Sequence, residues 1–212
     1  YDETVDARNT CYKLGIPFYV TDYTYEFRKS VINYFVNEYS IGKTPNPCVM
    51  CNKKIKNDLL LKKIDEIDCD FLATGHYARI SKKNKEGVLQ IARARDFRKD
   101  QTYFLYGIKR IEIQRLMFPL ENKTKNDVRI IANKLNLSTA NNPDSQEICF
   151  VEKDYKTFLK QEIKNPPKPG NFVSISGEIL GEHTGIPFYT VGQRRGININ
   201  DKTAFYVVKI DS

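Results

Sequence analysis

The sequence has no tryptophan and only five cysteines, an odd number that is atypical of a disulfide-stapled secreted domain. Long apolar runs are also missing, and the uncharged stretches are too short and too polar to cross a bilayer. The opening residues, Tyr1 to Thr4, lack the basic start and apolar core of a signal peptide. These absences predict a cytoplasmic protein that does not span a membrane. Because the sequence does not begin with methionine, we expect it to be part of a longer gene product.

Basic residues are in excess. The 212 residues include 34 Lys and Arg against 26 Asp and Glu, which gives a net charge of +8 and a pI near 9.1. This excess favours a polyanionic partner, although lysine-rich surfaces also occur without one. With 41% hydrophobic and 28% charged residues, the chain is expected to fold rather than to be disordered. Its length suits one ordinary domain or two small ones.

Hydrophobic periodicity predicts a layered α/β domain in the first half of the chain. The predicted helices there cover residues 2–14, 27–40 and 48–64, and the predicted strands cover residues 16–21 and 69–74. A hairpin of strands 77–81 and 88–93 follows, then a short helix at 100–108 and an amphipathic helix at 124–135 capped by Thr124. After a helix at 155–163, short strands are predicted at 171–174, 178–180, 188–191 and 205–210.

The Cys-x-x-Cys pair of Cys48 and Cys51 follows Pro47 at the predicted start of a helix. Free amide donors and the positive end of the helix dipole stabilise a thiolate there, and Lys53 and Lys54 add positive charge. Such a pair supplies a nucleophile, a redox thiol or a metal ligand, or else it is two buried small hydrophobic residues. A structural zinc site would need a second Cys or His pair at matched spacing, which the sequence does not offer.

Cys149 follows the polar segment Asp144-Ser145-Gln146-Glu147 and Ile148. Taken alone, it is more often a packed core thiol than a catalyst. Its interest lies in a meeting with Cys51 in space, since two thiols close a disulfide only when their Cα atoms lie within roughly 4.4–6.8 Å. The sequence does not decide between these readings.

Two further motifs combine glycine or histidine with polar side chains. Gly75 and His76 end a predicted strand, where open α/β sheets carry ligands, but His76 is equally well read as a buried structural histidine. Lys99, Asp100 and Gln101 begin a predicted helix. They form either an ordinary helix start or a nucleic-acid site, in which Lys99 meets phosphate and the two neighbours read base edges.

Arg194 and Arg195 stand between Gly192 and Gly196. Two adjacent arginines in such a turn suit contact with an RNA backbone, or a sharp turn that packs on another domain.

Taken in order, these segments resemble the tRNA-specific 2-thiouridylases, ATP-dependent enzymes that place sulfur on C2 of the wobble uridine. The matching motifs are Thr44-Pro45-Asn46-Pro47-Cys48 with Cys51-Asn52-Lys53, Ala73-Thr74-Gly75-His76-Tyr77, Lys99-Asp100-Gln101-Thr102-Tyr103, Asp144-Ser145-Gln146 with Ile148-Cys149-Phe150, and Tyr189 to Gly196. Each motif is weak alone, but five in the family's order and spacing are specific. The resemblance implies an α/β fold: a partial Rossmann-like adenine-nucleotide α-hydrolase domain of the PP-loop ATPase type, followed by a smaller central domain with a β-rich end.

The resemblance also implies a division of roles between two cysteines. Cys51 matches the nucleophile, and Cys149 matches the cysteine that carries a persulfide delivered by an upstream sulfur-relay protein or cysteine desulfurase. The two are implied to form a transient disulfide during turnover. ATP, with Mg²⁺, would adenylate the C2 oxygen before sulfur reaches C2. The implied substrate is a tRNA with an anticodon loop of the Lys, Glu or Gln type.

The remaining matched residues are implied to bind substrates. Gly75 matches an ATP contact, and Asn46, Pro47 and Cys48 match the stretch that contacts the target base. The positions that match tRNA contacts are His76, Lys99, Asp100 and Gln101, with Arg194 and Arg195 as further candidates.

The sequence departs from the family pattern in three respects. A phosphate-binding loop of the Ser-Gly-Gly-x-Asp-Ser type is absent, so we expect this chain alone neither to bind ATP properly nor to adenylate. Most of the family's C-terminal β-barrel is also expected to be missing. Cys48 stands where some members carry Asp, so Cys48, Cys51 and Cys149 form an alternative ligand set for a [4Fe–4S] cluster. A non-catalytic tRNA-binding fragment is the other alternative.

We place the change of domain between Lys109 and Pro169. The predicted catalytic α/β domain covers residues 1–110, with 140–153 returning to it, and the predicted central tRNA-binding domain covers 111–139 and 154–212.

Overall fold

The computed structural model describes residues 3–82, 87–143, 148–197, 199 and 204–211. The chain divides into two compact units, one formed by Tyr1–Phe27 and Cys48–Ser145 and the other by Arg28–Pro47 and Gln146–Ser212. The units are groups of residues in mutual contact, and the domain boundaries given above stay a prediction. Within the described residues, no helix combines the length and the apolar character needed to cross a membrane.

Short elements make up both units. The helices are, in chain order, α1 (Glu3–Leu14), α2 (Thr24–Phe27), α3 (Asn33–Ser40), α4 (Pro47–Cys51), α5 (Leu60–Glu66), α6 (Arg110–Ile113), α7 (Lys125–Lys134) and α8 (Tyr155–Glu162). Two π-helical segments cover Arg28–Ile32 and Asn52–Leu59, and 3₁₀ turns cover Thr102–Leu105, Ser138–Asn141 and Ile186–Phe188. The strands are β1 (Leu72–Ala73), β2 (Ala78–Lys82), β3 (Leu89–Arg93), β4 (Leu116–Met117), β5 (Gly170–Val173) and β6 (Ile179–His183).

The first unit packs helices against two small sheets. Strand β1 pairs with β4 in parallel, with Leu72 opposite Leu116, while β2 and β3 form an antiparallel hairpin. Both pairings place apolar side chains on the inner face, and their common core is completed by α5 and the 3₁₀ turn that follows β3. The buried core residues are Leu61, Ile64, Ala78, Leu105, Leu116 and Phe118.

Local sequence signals set the ends of the longer helices. Gly15, at φ 65°, ends α1, and the amide of Ile16 reaches back to the carbonyl of Cys11 at 3.0 Å. At the start of α7, the Thr124 hydroxyl accepts from the Asp127 amide at 3.2 Å, and the Asp127 carboxylate accepts from the Thr124 amide at 2.8 Å. This reciprocal capping box confirms the predicted cap at Thr124.

The second unit is built on an aromatic core. Its buried residues are Phe35, Tyr39, Leu159, Phe188 and Tyr189, drawn from α3, α8 and the turn after β6. The rings of Phe35 and Tyr39 meet edge to face with centroids 4.9 Å apart, a favourable geometry for aromatic pairs. Strands β5 and β6 pair antiparallel, with Phe172 opposite Gly181. Aromatic side chains of Phe and Tyr therefore make up most of the core of this unit.

Three predicted strands and one predicted helix are wrong. Residues 16–21 and 205–210 pair with no strand in the described part of the chain, because alternation of side chains does not by itself supply a partner edge. Of residues 188–191, Phe188 ends the 3₁₀ turn Ile186–Phe188, and Phe188 and Tyr189 are both buried, so the two side chains do not alternate between faces. The segment predicted as a helix over 100–108 forms a single 3₁₀ turn, Thr102–Leu105.

Gly185 is a position that a larger residue cannot occupy without strain. Its φ is 133°, and a Cβ built there would lie 2.4 Å from Cβ of Pro167. Gly177 has a similarly positive φ of 90°, but no described atom lies within 4 Å of a Cβ built on it. A comparison of substitutions at the two glycines therefore distinguishes backbone strain, which both positions share, from a steric clash, which only Gly185 has.

We predict that Gly185→Ala lowers the free energy of unfolding by about 1–3 kcal/mol more than Gly177→Ala does. Both substitutions impose a positive φ on alanine, at about 1–2 kcal/mol, but Gly185→Ala alone drives a methyl group into Pro167. Urea denaturation followed by circular dichroism measures the difference. Equal losses in the two variants would show that the contact with Pro167 has no energetic weight.

Candidate active site and RNA-binding residues

The Cys-x-x-Cys pair lies on a helical stretch formed by α4, the π-helical segment Asn52–Leu59 and α5. Pro47 opens α4, where its missing amide hydrogen costs no helical hydrogen bond. The Cys48 side chain is exposed, whereas Cys51, almost one turn later, is half-buried. In the preceding segment, Asn46 is half-buried and Pro47 is buried. The prediction that a helix begins at this motif is confirmed.

Two buried asparagines follow Cys51, and the sequence analysis did not assign them a role. Asn52 and Asn57 are each only 3% exposed. The Asn52 side-chain amide donates to the carbonyl of Phe104 at 3.1 Å, and the Asn57 side-chain amide donates to the carbonyl of Asn52 at 2.7 Å. The second bond joins two residues of the π-helical segment Asn52–Leu59, so the Asn57 side chain is bonded to the backbone of its own helix. A polar residue on the apolar face of this helix was the signal that could have revealed them.

Lys54, one of the two lysines expected to favour a thiolate, is engaged elsewhere. Its ammonium lies 3.3 Å from Asp58, and Lys109 approaches the same carboxylate at 3.2 Å. Partial burial tends to raise the pKa of Asp58, but the hydrogen bonds from Lys109 and Lys54 outweigh it and hold the pKa below its usual value. Lys54 therefore serves an ion-pair network that joins the helix to the start of α6.

Gly75 and His76 follow β1, at the carboxyl end of a parallel strand as predicted. Gly75 is exposed, and no described atom lies within 4 Å of a Cβ built on it, so its backbone is open to a ligand. His76 is half-buried, with Nδ1 2.8 Å from the Thr74 hydroxyl. Burial, assisted by the charge of Lys56, lowers the pKa of His76 to about 4. The ring is therefore neutral at pH 7 and carries no charge toward phosphate.

Asp100 and Gln101 hold the backbone of the first unit together. Asp100 accepts from the amide of Ala94 at 3.2 Å and from the amide of Thr102 at 3.3 Å. The Gln101 side chain accepts from the Tyr77 amide at 3.0 Å, and the Gln101 amide donates to the Tyr77 carbonyl at 2.9 Å. These bonds give both side chains a structural role. Contact of Lys99, Asp100 and Gln101 with RNA stays a prediction.

Cys149 lies in an exposed turn of the second unit. Its neighbour Phe150 packs edge to face on Phe35, with ring centroids 5.3 Å apart, so the turn is fixed to the aromatic core while the thiol faces outward. The preceding residues, 144–147, lie outside the described residues. No disulfide bond joins any of the five cysteines in the described part of the chain, and the transient disulfide implied by the resemblance stays a prediction.

Arg194 and Arg195 are exposed in a turn that the backbone holds tightly. The amide of Gly192 donates to the Val207 carbonyl at 2.7 Å, and the Gln193 side chain donates to the Arg195 carbonyl at 2.9 Å. Both guanidinium groups therefore extend from a constrained turn, a geometry that suits contact with phosphates.

Metal ligation finds no support in the geometry. Across the described part of the chain, no three His, Cys, Asp or Glu side chains are grouped so as to hold a metal ion.

Comparison with known proteins identifies the family. The family model described as "tRNA methyl transferase HUP domain" matches residues 1–153, and the model described as "tRNA methyl transferase PRC-barrel domain" matches residues 156–212. The chain belongs to the tRNA methyl transferase HUP family. The match confirms the predicted fold class, a Rossmann-like PP-loop ATPase domain followed by a smaller central domain.

Relatives of this HUP-family chain are named as 2-thiouridylases, which confirms the resemblance. This chain is 48% identical over 206 residues to the tRNA-specific 2-thiouridylase MnmA of Carboxydothermus hydrogenoformans, and the alignment covers 97% of this chain and 56% of the relative. It is 47% identical over 207 residues to the protein of the same name from Pelotomaculum thermopropionicum, again with 97% and 56% covered. The match to that of Clostridioides difficile is 44% over 207 residues, with 97% and 57% covered. The chain thus spans somewhat more than half the length of these relatives.

For this HUP-family chain we predict that Asn57→Ala lowers the free energy of unfolding by about 1–3 kcal/mol, because it removes a buried hydrogen bond to the Asn52 carbonyl. Urea denaturation measures the loss. Asn126→Ala, at an exposed position of α7, is the matched control and changes stability by less than about 0.5 kcal/mol. Equal stability of the two variants would contradict the role assigned to Asn57.

His76 should make the stability of the HUP domain depend on pH. The unfolded chain protonates this ring near pH 6.5, but the folded one does so only near pH 4. Stability present above pH 6.5 is therefore lost as the pH falls toward 4, by roughly 1–2 kcal/mol after allowance for partial solvent exposure. Chemical denaturation across this range should show a flatter profile in His76→Gln. An unchanged slope would exclude His76 as the titrating group.

Proposed function

We propose that the protein containing this chain is an ATP-dependent tRNA sulfurtransferase that converts the wobble uridine to 2-thiouridine. The observation that carries the proposal is the high identity to proteins named tRNA-specific 2-thiouridylases, over almost the whole of this chain. The positions of the two thiols support it. Cys51 lies on a helix that the buried side-chain amide of Asn52 fixes by a hydrogen bond to Phe104, and Cys149 lies in an exposed turn. The proposed partner is a tRNA with an anticodon loop of the Lys, Glu or Gln type, and the proposed compartment is the cytoplasm.

ATP, with Mg²⁺, would supply the adenylate that makes the C2 oxygen of uridine a good leaving group. The open backbone at Gly75 fits a nucleotide contact, whereas the phosphate-binding loop of the family is not in this sequence. The adenosine end of ATP is therefore the part that residues of this chain are proposed to contact. Asn46, Pro47 and Cys48 would bind the target base beside Cys51.

The proposed chemistry uses two cysteines of different exposure. A sulfur-relay protein or cysteine desulfurase leaves a persulfide on Cys149, whose exposed turn suits transfer between proteins. The terminal sulfur attacks C2, and AMP departs with the former C2 oxygen. The Cys51 thiolate attacks Sγ of Cys149, which breaks the persulfide S–S bond and leaves the sulfur on uridine. The resulting Cys51–Cys149 disulfide is then reduced by a cellular dithiol.

We predict that Cys51→Ser and Cys149→Ser each reduce 2-thiouridine in tRNA by about a hundredfold or more. The variants would be expressed from the gene that encodes this chain, in a bacterium that lacks its own 2-thiouridylase. Digested tRNA would then be analysed by mass spectrometry. Cys69→Ser is the matched control and should retain full thiolation, because Cys69 is an exposed cysteine outside the matched motifs, three residues after the end of α5.

Four results would contradict the proposal in different ways. Thiolation retained in both variants would exclude the persulfide route. Iron in the anaerobically purified protein, lost on Cys48→Ser, would favour the [4Fe–4S] alternative. Methylated uridine in place of 2-thiouridine would make the protein a methyl transferase, as the family description reads. Binding of tRNA without any modified product would make it a non-catalytic RNA-binding protein.

A further inference from the structure

Two tyrosines with no assigned role stand beside the thiol helix in the first unit. Tyr103 and Tyr106 are 65% and 72% exposed, although tyrosine is large and mostly apolar. Tyr103 lies within the 3₁₀ turn Thr102–Leu105 and Tyr106 directly follows it, and in such a turn side chains three residues apart stand one above the other. Their ring centroids lie 6.1 Å apart and their planes are inclined by 57°. The two rings therefore form one aromatic surface that faces solvent.

This surface is held rigidly from below. Leu105, between the two tyrosines, is 2% exposed and lies in the hydrophobic core. Asp100 caps the turn by accepting from the amide and the hydroxyl of Thr102. A rigid aromatic ring loses little entropy when it binds a flat ligand, so the surface is prepared for stacking.

The turn is bonded directly to the helix that carries Cys51. The side-chain amide of Asn52, the residue after Cys51, donates to the carbonyl of Phe104 at 3.1 Å. A Cβ built on Gly107 would lie 3.4 Å from Cδ of Lys53 and 3.5 Å from Cγ1 of Val49, so the end of the turn packs on the same helix. A ligand on the tyrosines would thus rest on an element fixed to the candidate nucleophile's helix.

Next to Tyr106 lies a cavity of about 350 Å³, at the small end of the range for ligand pockets. Tyr106, Leu105 and Ile108 line its apolar side, and Arg110, Gln90 and Thr102 bring polar groups to it. Flat apolar faces with a few hydrogen-bonding groups at the rim match the chemistry of a nucleobase. Arg110 lines the same cavity as Tyr106, and Arg98 and Lys99 precede the turn in the sequence, so basic residues are available for contact with a nucleic-acid backbone.

We propose that Tyr103 and Tyr106, with Arg110, form a stacking site for an unpaired nucleobase of a single-stranded RNA loop. The inference rests on the proposed function and adds to it a contact for a base that neighbours the reacting uridine. Aromatic side chains bind unstacked bases through their faces, largely without regard to sequence. The site therefore recognises an open loop rather than a particular base.

The test compares binding of an anticodon stem-loop RNA, by fluorescence anisotropy at fixed salt, to the unaltered protein and to variants. Tyr103→Ala/Tyr106→Ala should weaken binding by about tenfold or more, whereas Tyr103→Phe/Tyr106→Phe should bind as the unaltered protein does, because stacking needs the ring and not the hydroxyl. Tyr25→Ala is the matched control, since Tyr25 is also 72% exposed in the same unit. An RNA duplex of the same length should show no difference between the variants.

Two outcomes would overturn the proposal. If the double alanine variant binds the stem-loop as the unaltered protein does, the tyrosines do not stack on bases. If it weakens duplex and loop binding alike, the loss reflects the fold or the charge of the surface and not base stacking. Thiolation of tRNA measured on the same variants tests the proposed function separately from the stacking site. Normal 2-thiouridine together with unchanged affinity removes the stacking site and leaves the proposed function standing.

Discussion

Two buried side-chain amides fix the geometry on which the candidate active site depends. The side-chain amide of Asn57 donates a hydrogen bond to the carbonyl of Asn52, and the side-chain amide of Asn52 donates one to the carbonyl of Phe104. The first bond stabilises a π-helical segment in the middle of the helix that carries Cys48 and Cys51, and the second fastens that helix to the turn beneath Tyr103 and Tyr106. Because a buried N–H group is costly unless it is hydrogen-bonded, the two side-chain amide nitrogens favour this arrangement over others, although Asn52 Oδ1 is buried without a hydrogen-bond partner among the described residues.

Several residues that the sequence predicts to contact RNA are hydrogen-bonded to the backbone of their own unit or are partly buried in it. Asp100 and Gln101 use their side-chain oxygens on amides of the same unit, and His76 is neutral at pH 7 because its ring is buried. Under the proposed function, the exposed guanidinium groups of Arg194 and Arg195 would contribute positive charge for contact with a nucleic acid. The backbone of their turn is already fixed by hydrogen bonds, which would lower the entropy lost on binding.

The two thiols differ in how the fold presents them. Cys51 is half-buried on a helix, and Cys149 is exposed in a turn whose neighbour, Phe150, is anchored on Phe35. This difference suits the two proposed roles, since a persulfide must be received from another protein, while a nucleophilic thiol needs only partial exposure. The roles themselves rest on the resemblance to the 2-thiouridylases and not on the surroundings of the thiols alone.

The sequence by itself determined the helix at the Cys-x-x-Cys motif, the capping box at Thr124, the hairpin of β2 and β3, and the family, because these depend on neighbours in the chain or on motifs in a fixed order. Only the tertiary structure decided which segments pair as strands and which polar side chains are used in hydrogen bonds within the fold, because neither alternation of apolar residues nor a sequence motif specifies those partners. Residues 16–21 have a strand-like pattern without a partner edge, and Gln101 looks like a ligand group until Tyr77, 24 positions away, is brought to it. The burial of Asn52 was equally hidden, since a hydrogen bond to Phe104 joins residues 52 positions apart. Pairing and burial depend on such distant partners, and a linear pattern does not specify where they meet.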